Sequence, residues 1–249
     1  MAAIPTLING SRGRMGQALI RLAPDHGIEV AAAIDAGEDA EPHLGRCAAI
    51  IDFSVAAATA PLATAAARKK VPLLIGTTGH DAAQRAEIEA AAKYIPILWS
   101  GNYSVGVNLL FWLTEQTARI LGEDYQPEIL ELHHRHKQDA PSGTAENLAE
   151  AVLRARNWPA QSARRERSGQ IGPRPSCEVG LQSIRGGEII GEHTVYFIGP
   201  HDRIELTHRA GERSIFAAGA LRSIPWLVHQ SPGIYSMRDF LGLQNLPSA

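Results

Sequence analysis

The sequence predicts an α/β fold in two parts: a parallel sheet with helices on both faces, then a second domain built on an antiparallel or mixed sheet. Three observations predict it. Short apolar runs alternate with helical stretches from Ile4 to Trp99, the pattern of parallel strands joined by crossover helices. The first of these runs ends in a glycine-rich turn that opens a helix, Asn9-Gly10-Ser11-Arg12-Gly13-Arg14-Met15-Gly16. From Glu178 onward three β-type runs follow one another with no helix between them, and such short connections imply antiparallel or mixed pairing.

Taken in order, Ile4 to Ile8 reads as the first strand and Gln17 to Ala23 as the helix after it. In the turn between them Gly10 permits the bend, Gly13 lets a phosphate approach the backbone, and Gly16 lets the helix pack closely. The spacing is GxxGxxG rather than GxGxxG, and a glycine turn alone is weak evidence. It is strengthened by a second strand, Glu29 to Ile34, that ends at Asp35, 19 residues after Gly16, where an acid accepts hydrogen bonds from ribose hydroxyls. A nucleotide site is the expectation. Cys47 to Asp52, Val71 to Ile75 and Ile95 to Trp99 are further strands, separated by helices over Ala56 to Lys70 and Asp81 to Lys93. Ligands bind at the carboxyl ends of such strands, so the turns Asp52-Phe53-Ser54, Gly76-Thr77-Thr78-Gly79 and Ser100-Gly101-Asn102-Tyr103-Ser104 form a candidate rim. Loops of this kind favour small polar residues anyway, so the rim supports the reading without proving it. Val105 to Leu121 is a long apolar helix leading into the second half.

The densest chemistry lies between residues 131 and 144. After a strand over Glu128 to Leu132 come His133, His134, Arg135, His136 and Lys137, and then Ala140-Pro141-Ser142-Gly143-Thr144 leads into a helix over Ala145 to Arg154. Ser142 is its natural N-cap, and the amides of Gly143 and Thr144 offer the positive end of the helix dipole to a carboxylate or phosphate. Two other readings compete. A solvated basic loop is common. A metal held by His133, His134 and His136 is weaker, because adjacent residues of an extended chain point to opposite faces and no Cys or carboxylate stands at a helpful spacing. The adjoining anion-binding turn favours catalytic use. Asn157 to Ser176, rich in Arg, Gly, Pro and Ser, reads as a mobile loop in which Arg164, Arg165, Arg167 and Arg174 are solvated. Strands over Glu178 to Arg185, Glu188 to Ile198 and Arg203 to Arg209 follow, then a helix over Ser214 to Val228 and a small capping box at Ser236-Met237-Arg238-Asp239.

At 249 residues the chain has room for two modest domains, and 45% hydrophobic with 20% charged residues is ordinary for a globular protein. A net charge of −2 argues against a nucleic-acid surface as the main business. Cys47 and Cys177 are too few and too far apart for a disulfide framework or a Cys-rich metal site. No apolar run reaches about 18 residues and no signal peptide is evident, so the expectation is no membrane and a cytoplasmic protein.

Together, the glycine turn, Gly76-Thr77-Thr78-Gly79, Asn102-Tyr103-Ser104-Val105-Gly106-Val107-Asn108, the 131–145 stretch and Arg185-Gly186-Gly187-Glu188-Ile189-Ile190-Gly191-Glu192-His193 closely resemble the dihydrodipicolinate reductase family, over Ile8 to Leu243. The resemblance implies a Rossmann-type domain from both chain ends, residues 1–103 and 214–249, and a central α+β substrate-binding and tetramerisation domain, residues 104–213. It implies reduction of 4-hydroxy-tetrahydrodipicolinate, by way of dihydrodipicolinate, with NADH or NADPH and no metal, by a homotetramer of the lysine and diaminopimelate pathway. It places cofactor contacts on Gly10, Ser11, Arg12, Gly13, Arg14, Met15, Asp35, Gly76, Thr77, Thr78, Ser100, Gly101, Asn102 and Tyr103. His133 becomes the acid/base residue and Lys137 the proton donor, with His134, Ser142, Gly143 and Thr144 on the substrate.

Two departures stand out. Ser100-Gly101 replaces the alanines common in the family, and Ala36 follows Asp35 where some members carry a basic residue. Asp35 would repel the 2′-phosphate of NADPH, while Arg12 and Arg14 could reach it. An exposed pair offsets such repulsion only in part, so both cofactors should work with NADH preferred about three- to thirtyfold. The alternatives are another NAD(P)-dependent imine or amino-acid dehydrogenase, which need not keep an anion-binding helix start beside Lys137, and a non-catalytic nucleotide sensor. A DNA-bound regulator would carry a basic reading helix, which the sequence lacks.

Overall fold

The computed structural model describes residues 2–35 and 37–243; Ala36 and the expected domain ends at residues 1 and 244–249 lie outside them. In chain order the elements are β1 (Ile4–Asn9), α1 (Arg14–Leu22), β2 (Ile28–Ile34), α2 (Glu41–Leu44), β3 (Ala49–Asp52), α3 (Ala56–Lys69), β4 (Leu73–Ile75), α4 (Ala82–Ala91), β5 (Pro96–Trp99) and α5 (Val105–Leu121). Then come β6 (Gln126–His133), α6 (Gly143–Arg156), β7 (Ala163–Arg164), β8 (Val179–Arg185), β9 (Glu192–Ile198), β10 (Arg203–Arg209), α7 (Ser214–Leu227), β11 (Gly233–Tyr235) and α8 (Met237–Phe240). Two compact units result: residues up to 105 with those from 214, and residues 106–213.

The first unit carries a six-stranded sheet in the order β11-β5-β4-β3-β1-β2, with every pairing parallel. Its strands are short apolar runs because both faces are covered. Leu7, Ile50, Leu73 and Ile97 point into one core with the alanines of α3, while their neighbours Ile8, Ile51, Leu74 and Leu98 point into a second core with Leu19 of α1 and Leu221 and Ile224 of α7. All of these strand residues are fully buried, and each large aliphatic contributes about 1.5–3 kcal/mol. Strand order reverses between β1 and β3, whose carboxyl ends meet at Asn9 opposite Asp52. That is the switch point at which open α/β sheets hold ligands. The alternation of strands and helices is as the sequence indicates; α2 and β11 are additions, and β3 and β4 start two residues later than expected.

The second unit carries a mixed five-stranded sheet in the order β10-β9-β6-β8-β7. β6 lies antiparallel to β9 and parallel to β8, so it separates two strands that are neighbours in sequence. Ile129, Val179, Leu181, Val195 and Phe197 pack with Leu148, Ala149 and Val152 of α6. Period-two alternation in β6 therefore puts Ile129, Glu131 and His133 on the buried side. The 157–176 stretch departs from expectation. Arg167 holds both oxygens of Glu128 at 2.7 Å and reaches Glu178 at 2.6 Å, Arg174 adds Glu128 at 2.9 Å, and Arg165 grips Glu146 at 2.7 Å. Burial alone would push the Glu128 carboxyl up, but these guanidinium groups outweigh it and hold it below its ordinary range. Among the described residues no helix is long and apolar enough to cross a membrane.

Candidate active site

On the first unit the candidate residues gather at the carboxyl ends of the strands. Gly10 takes φ +84°, and a side chain there would collide with the Phe53 carbonyl oxygen at 2.4 Å; one on Gly16 would meet the Gly10 oxygen at 2.1 Å. The glycines thus let the turn fold back onto the first turn of α1, whose N-cap, Gly13, makes no side-chain bond to the open amides. A cavity of about 310 Å³ lies before them, lined by Gly13, Arg14, Met15, Gly76, Thr77 and Thr78 among others. A second, of about 410 Å³, is bounded by Asp35, Glu38, Pro61, Leu62 and Arg68. A glycine cradle, uncapped amides and a recess walled by both apolar and charged side chains fit a dinucleotide. A larger hollow of about 450 Å³ between α3 and α4 shares only Arg68 with these linings and reaches none of the glycine-turn residues.

Beneath this rim is a residue that sequence reading missed in this role. Asp52 is fully buried, and its carboxylate accepts from Asn9 Nδ2 at 2.8 Å, Ser54 Oγ at 2.5 Å, Thr59 Oγ1 at 2.6 Å and Thr77 Oγ1 at 3.0 Å. Thr77 is therefore a support whose hydroxyl faces inward. Tyr103 needs a similar correction. The residue is 1% exposed and its hydroxyl lies 2.8 Å from the Ile75 oxygen and 2.9 Å from that of Leu98, so its side chain braces the rim from beneath. Ser100 Oγ donates to the Asn102 carbonyl at 2.8 Å, closing the turn that also holds Gly101. At the β2 end of the rim Asp35 accepts the Arg12 amide at 2.7 Å, while the Arg12 guanidinium is drawn to Glu38 at 2.5 Å. Glu38 was not foreseen, and it neutralises a cation expected to serve a 2′-phosphate.

On the second unit, β6 delivers Glu131 and His133 to one face. Glu131 Oε2 sits 2.5 Å from His133 Nδ1, and Arg185 from β8 grips both Glu131 oxygens at 2.7 and 2.9 Å. Burial favours the neutral carboxyl, but His133 and Arg185 together outweigh it and hold Glu131 well below the ordinary carboxylate range. An ionised carboxylate only accepts, so Nδ1 carries the hydrogen and Nε2 is the working edge. That nitrogen has no bond among the described residues and is not an enclosed atom. His193 stacks edge-on against His133, with centroids 5.2 Å apart, and lies 3.0 Å from Ser142 Oγ. Burial first, and the neighbouring His133 second, push it down to about 4, so it stays neutral at ordinary pH.

Ser142 caps α6 as expected, its hydroxyl accepting the Ala145 amide at 3.2 Å. The other first-turn amides, of Gly143 and Thr144, point out of the helix end as donors. Lys137 is paired with Asp139 at 2.8 Å, and Arg213 donates to His134 Nε2 at 3.0 Å. Burial, then the Arg213 charge, lower the affinity of His134 for a proton. Arg135 and His136 turn instead toward exposed Glu188. Contrary to the expectation that no carboxylate stands at a helpful spacing, Glu131, His133 and His193 offer three ligand atoms within 4.8 Å of one another. Arg185 on both Glu131 oxygens puts a fixed cation where a metal ion would sit, so the cluster reads as a proton network.

Fold and residues together mark a class: an oxidoreductase with a nucleotide-binding α/β domain. Two family models match the chain, described as dihydrodipicolinate reductase, N-terminus, over residues 4–103, and dihydrodipicolinate reductase, C-terminus, over residues 106–241. A 4-hydroxy-tetrahydrodipicolinate reductase of Akkermansia muciniphila is 48% identical, with 98% of this chain and 100% of the relative covered. One from Myxococcus xanthus is 41% identical, with 97% and 98% covered. Among solved structures, dipicolinate-bound dihydrodipicolinate reductase from Paenisporosarcina sp. TG-14 superposes with a TM-score of 0.79 at 21% identity, over 94% of this chain and 97% of that one. The chain belongs to the dihydrodipicolinate reductase family, and is thus an enzyme of lysine and diaminopimelate biosynthesis.

Proposed function

We propose that the chain reduces 4-hydroxy-tetrahydrodipicolinate, by way of dihydrodipicolinate, to tetrahydrodipicolinate, using either NADH or NADPH. The observation that carries the residue assignment is the juxtaposition on one unit of a carboxylate-oriented imidazole, His133, and an open helix start at Gly143 and Thr144. One substrate carboxylate lies on the two amides, Lys137 neutralises charge beside it, and His134 contributes a neutral imidazole. When bound, the dinucleotide supplies a hydride. His133 holds a proton at Nε2 and gives it to the ring carbon on which negative charge develops, with Lys137 as a second donor. Backbone amides from Gly10 to Met15 hold the pyrophosphate, and Asp35 takes the ribose hydroxyls. Because Glu38 neutralises Arg12, the pocket favours NADH.

The family resemblance supports a cytoplasmic homotetramer built through the second unit. Leu130, Ile184 and Tyr196 lie on the sheet face opposite the α6 core, and Ile184 is 46% exposed. Light scattering at micromolar concentration should report four subunits, and a monomer would refute the assembly. The activity is tested by adding the protein to enzymatically generated 4-hydroxy-tetrahydrodipicolinate with NADH or NADPH; absorbance at the nicotinamide band should fall, and no turnover with either would overturn the reading.

A further inference from the structure

One buried group has no role in the reaction as proposed. Glu131 is 0% exposed, yet its carboxylate gathers partners from several directions, the Ser183 hydroxyl across the β6–β8 pairing among them. Oε2 faces His133 Nδ1 at 2.5 Å and Arg185 Nη1 at 2.9 Å, while Oε1 accepts Arg185 Nη2 at 2.7 Å and the backbone amide of Ser142 at 3.2 Å. Ser142 is the N-cap residue of α6, so this last bond fixes the helix end that bears Gly143 and Thr144. Arg185 continues the chain of contacts, donating to the Asp139 carbonyl at 2.8 Å, two residues beyond Lys137.

We propose that Glu131 is a positioning residue that sets the proton-bearing edge of His133 and the carboxylate cradle at the start of α6 in register with each other, with Arg185 extending that register to the Lys137 loop. The proposal rests on the functional reading above and adds to it the group that holds its parts together. Its physical basis is that an ionised carboxylate has only acceptors. It requires hydrogen on Nδ1, which leaves Nε2 as the edge that gives and takes a proton, and it prevents the ring from turning over. A residue lacking that charge cannot do the same, because Arg185 meets both oxygens and would face an amide N–H whichever way a glutamine lay. A purely structural ion pair would look alike in the fold, but its loss would not select for the tautomer of His133.

The test uses the full-length protein and two readouts. In Glu131→Gln, kcat should fall about a hundredfold or more while KM for the substrate changes less than about threefold, the outcome expected when a base loses its orienting group. Independently of turnover, the wild type should show a downfield, exchange-protected imidazole N–H proton resonance that disappears in His133→Gln and in Glu131→Gln. A kcat within about threefold of wild type in a folded Glu131→Gln, or a loss expressed only in KM, overturns the proposal. If that variant does not fold, the wild-type resonance decides: its absence overturns the proposal and its presence, assigned through His133→Gln, supports it. A wild type that shows the resonance but no turnover would instead refute the functional reading and leave the arrangement of Glu131 and His133 standing.

Discussion

Both units bury one carboxylate completely, Asp52 in the first and Glu131 in the second, and they satisfy it in opposite ways. The side chains around Asp52 are neutral: one amide and three hydroxyls. Those around Glu131 include a guanidinium and an imidazole beside the Ser183 hydroxyl. The difference bears on function through donor chemistry. A hydroxyl can turn round and accept, whereas a guanidinium cannot, so the Asp52 network tolerates a change of charge that the Glu131 network does not. A carboxylate among hydroxyls holds a shape for a ligand that arrives with its own chemistry. One between fixed or titratable cations keeps a proton in place.

The comparison can be broken at several points. The largest effect is expected at the proton-bearing end, where His133→Ala and Lys137→Ala should each lower turnover about a hundredfold or more. Full turnover in both variants would place the acid elsewhere. Next is acid sensitivity. The unfolded His193 imidazole takes up its proton near the ordinary 6.5, whereas the folded one does so only near about 4, so between these values the unfolded state binds more protons. Stability should therefore drop as pH falls from 6.5 to 4, by up to about 3 kcal/mol from this residue. Glu131, held below its ordinary range, adds to the loss as pH falls below about 4.5. Hydrogen exchange across β6 and β9 should show the loss first, and His193→Gln should flatten it; an unchanged slope in that variant would point to other groups.

A smaller effect is expected from Asp52→Asn, about 1–2 kcal/mol in stability with turnover within about threefold, because Thr59 and Thr77 can reverse their hydroxyls. Damage to turnover as large as that expected for Glu131→Gln would erase the distinction between the two carboxylates. The smallest effect concerns the rim. Wild-type catalytic efficiency should favour NADH about three- to thirtyfold, Asp35→Ser should shift it toward NADPH, and Glu38→Gln should do the same by freeing Arg12. A tenfold preference for NADPH in the wild type would mean that Arg12 and Arg14 outweigh both acids.

Legibility followed the range of the interactions. The Ser142 cap was readable because its cue is local, a serine before good helix formers, and the strands of the first sheet were readable because each is a short apolar run. β11 was not, since three residues, Gly-Ile-Tyr, carry no periodicity and become a strand only by pairing with β5. Glu131 stood in plain view two residues before His133, and the period of a strand puts such a pair on one face. Its partner Arg185 could be found only from the β6–β8 register, in which His133 lies beside Arg185. The arginines at 165, 167 and 174 looked solvated for the same reason, their acids being Glu146, Glu128 and Glu178.

The return of the chain to its first sheet also sets an order of synthesis. Ile8, Ile51, Leu74 and Leu98 are covered on one side by Ala217, Leu221 and Ile224 of α7, residues that leave the ribosome only after all of residues 106–213 have been made. The second unit is continuous in sequence and can close its own core around Phe197 and Leu148 while the first still waits. The domain begun first is thus finished last. A chain stalled before Ser214 would present an uncovered apolar sheet face to chaperones or to other nascent chains.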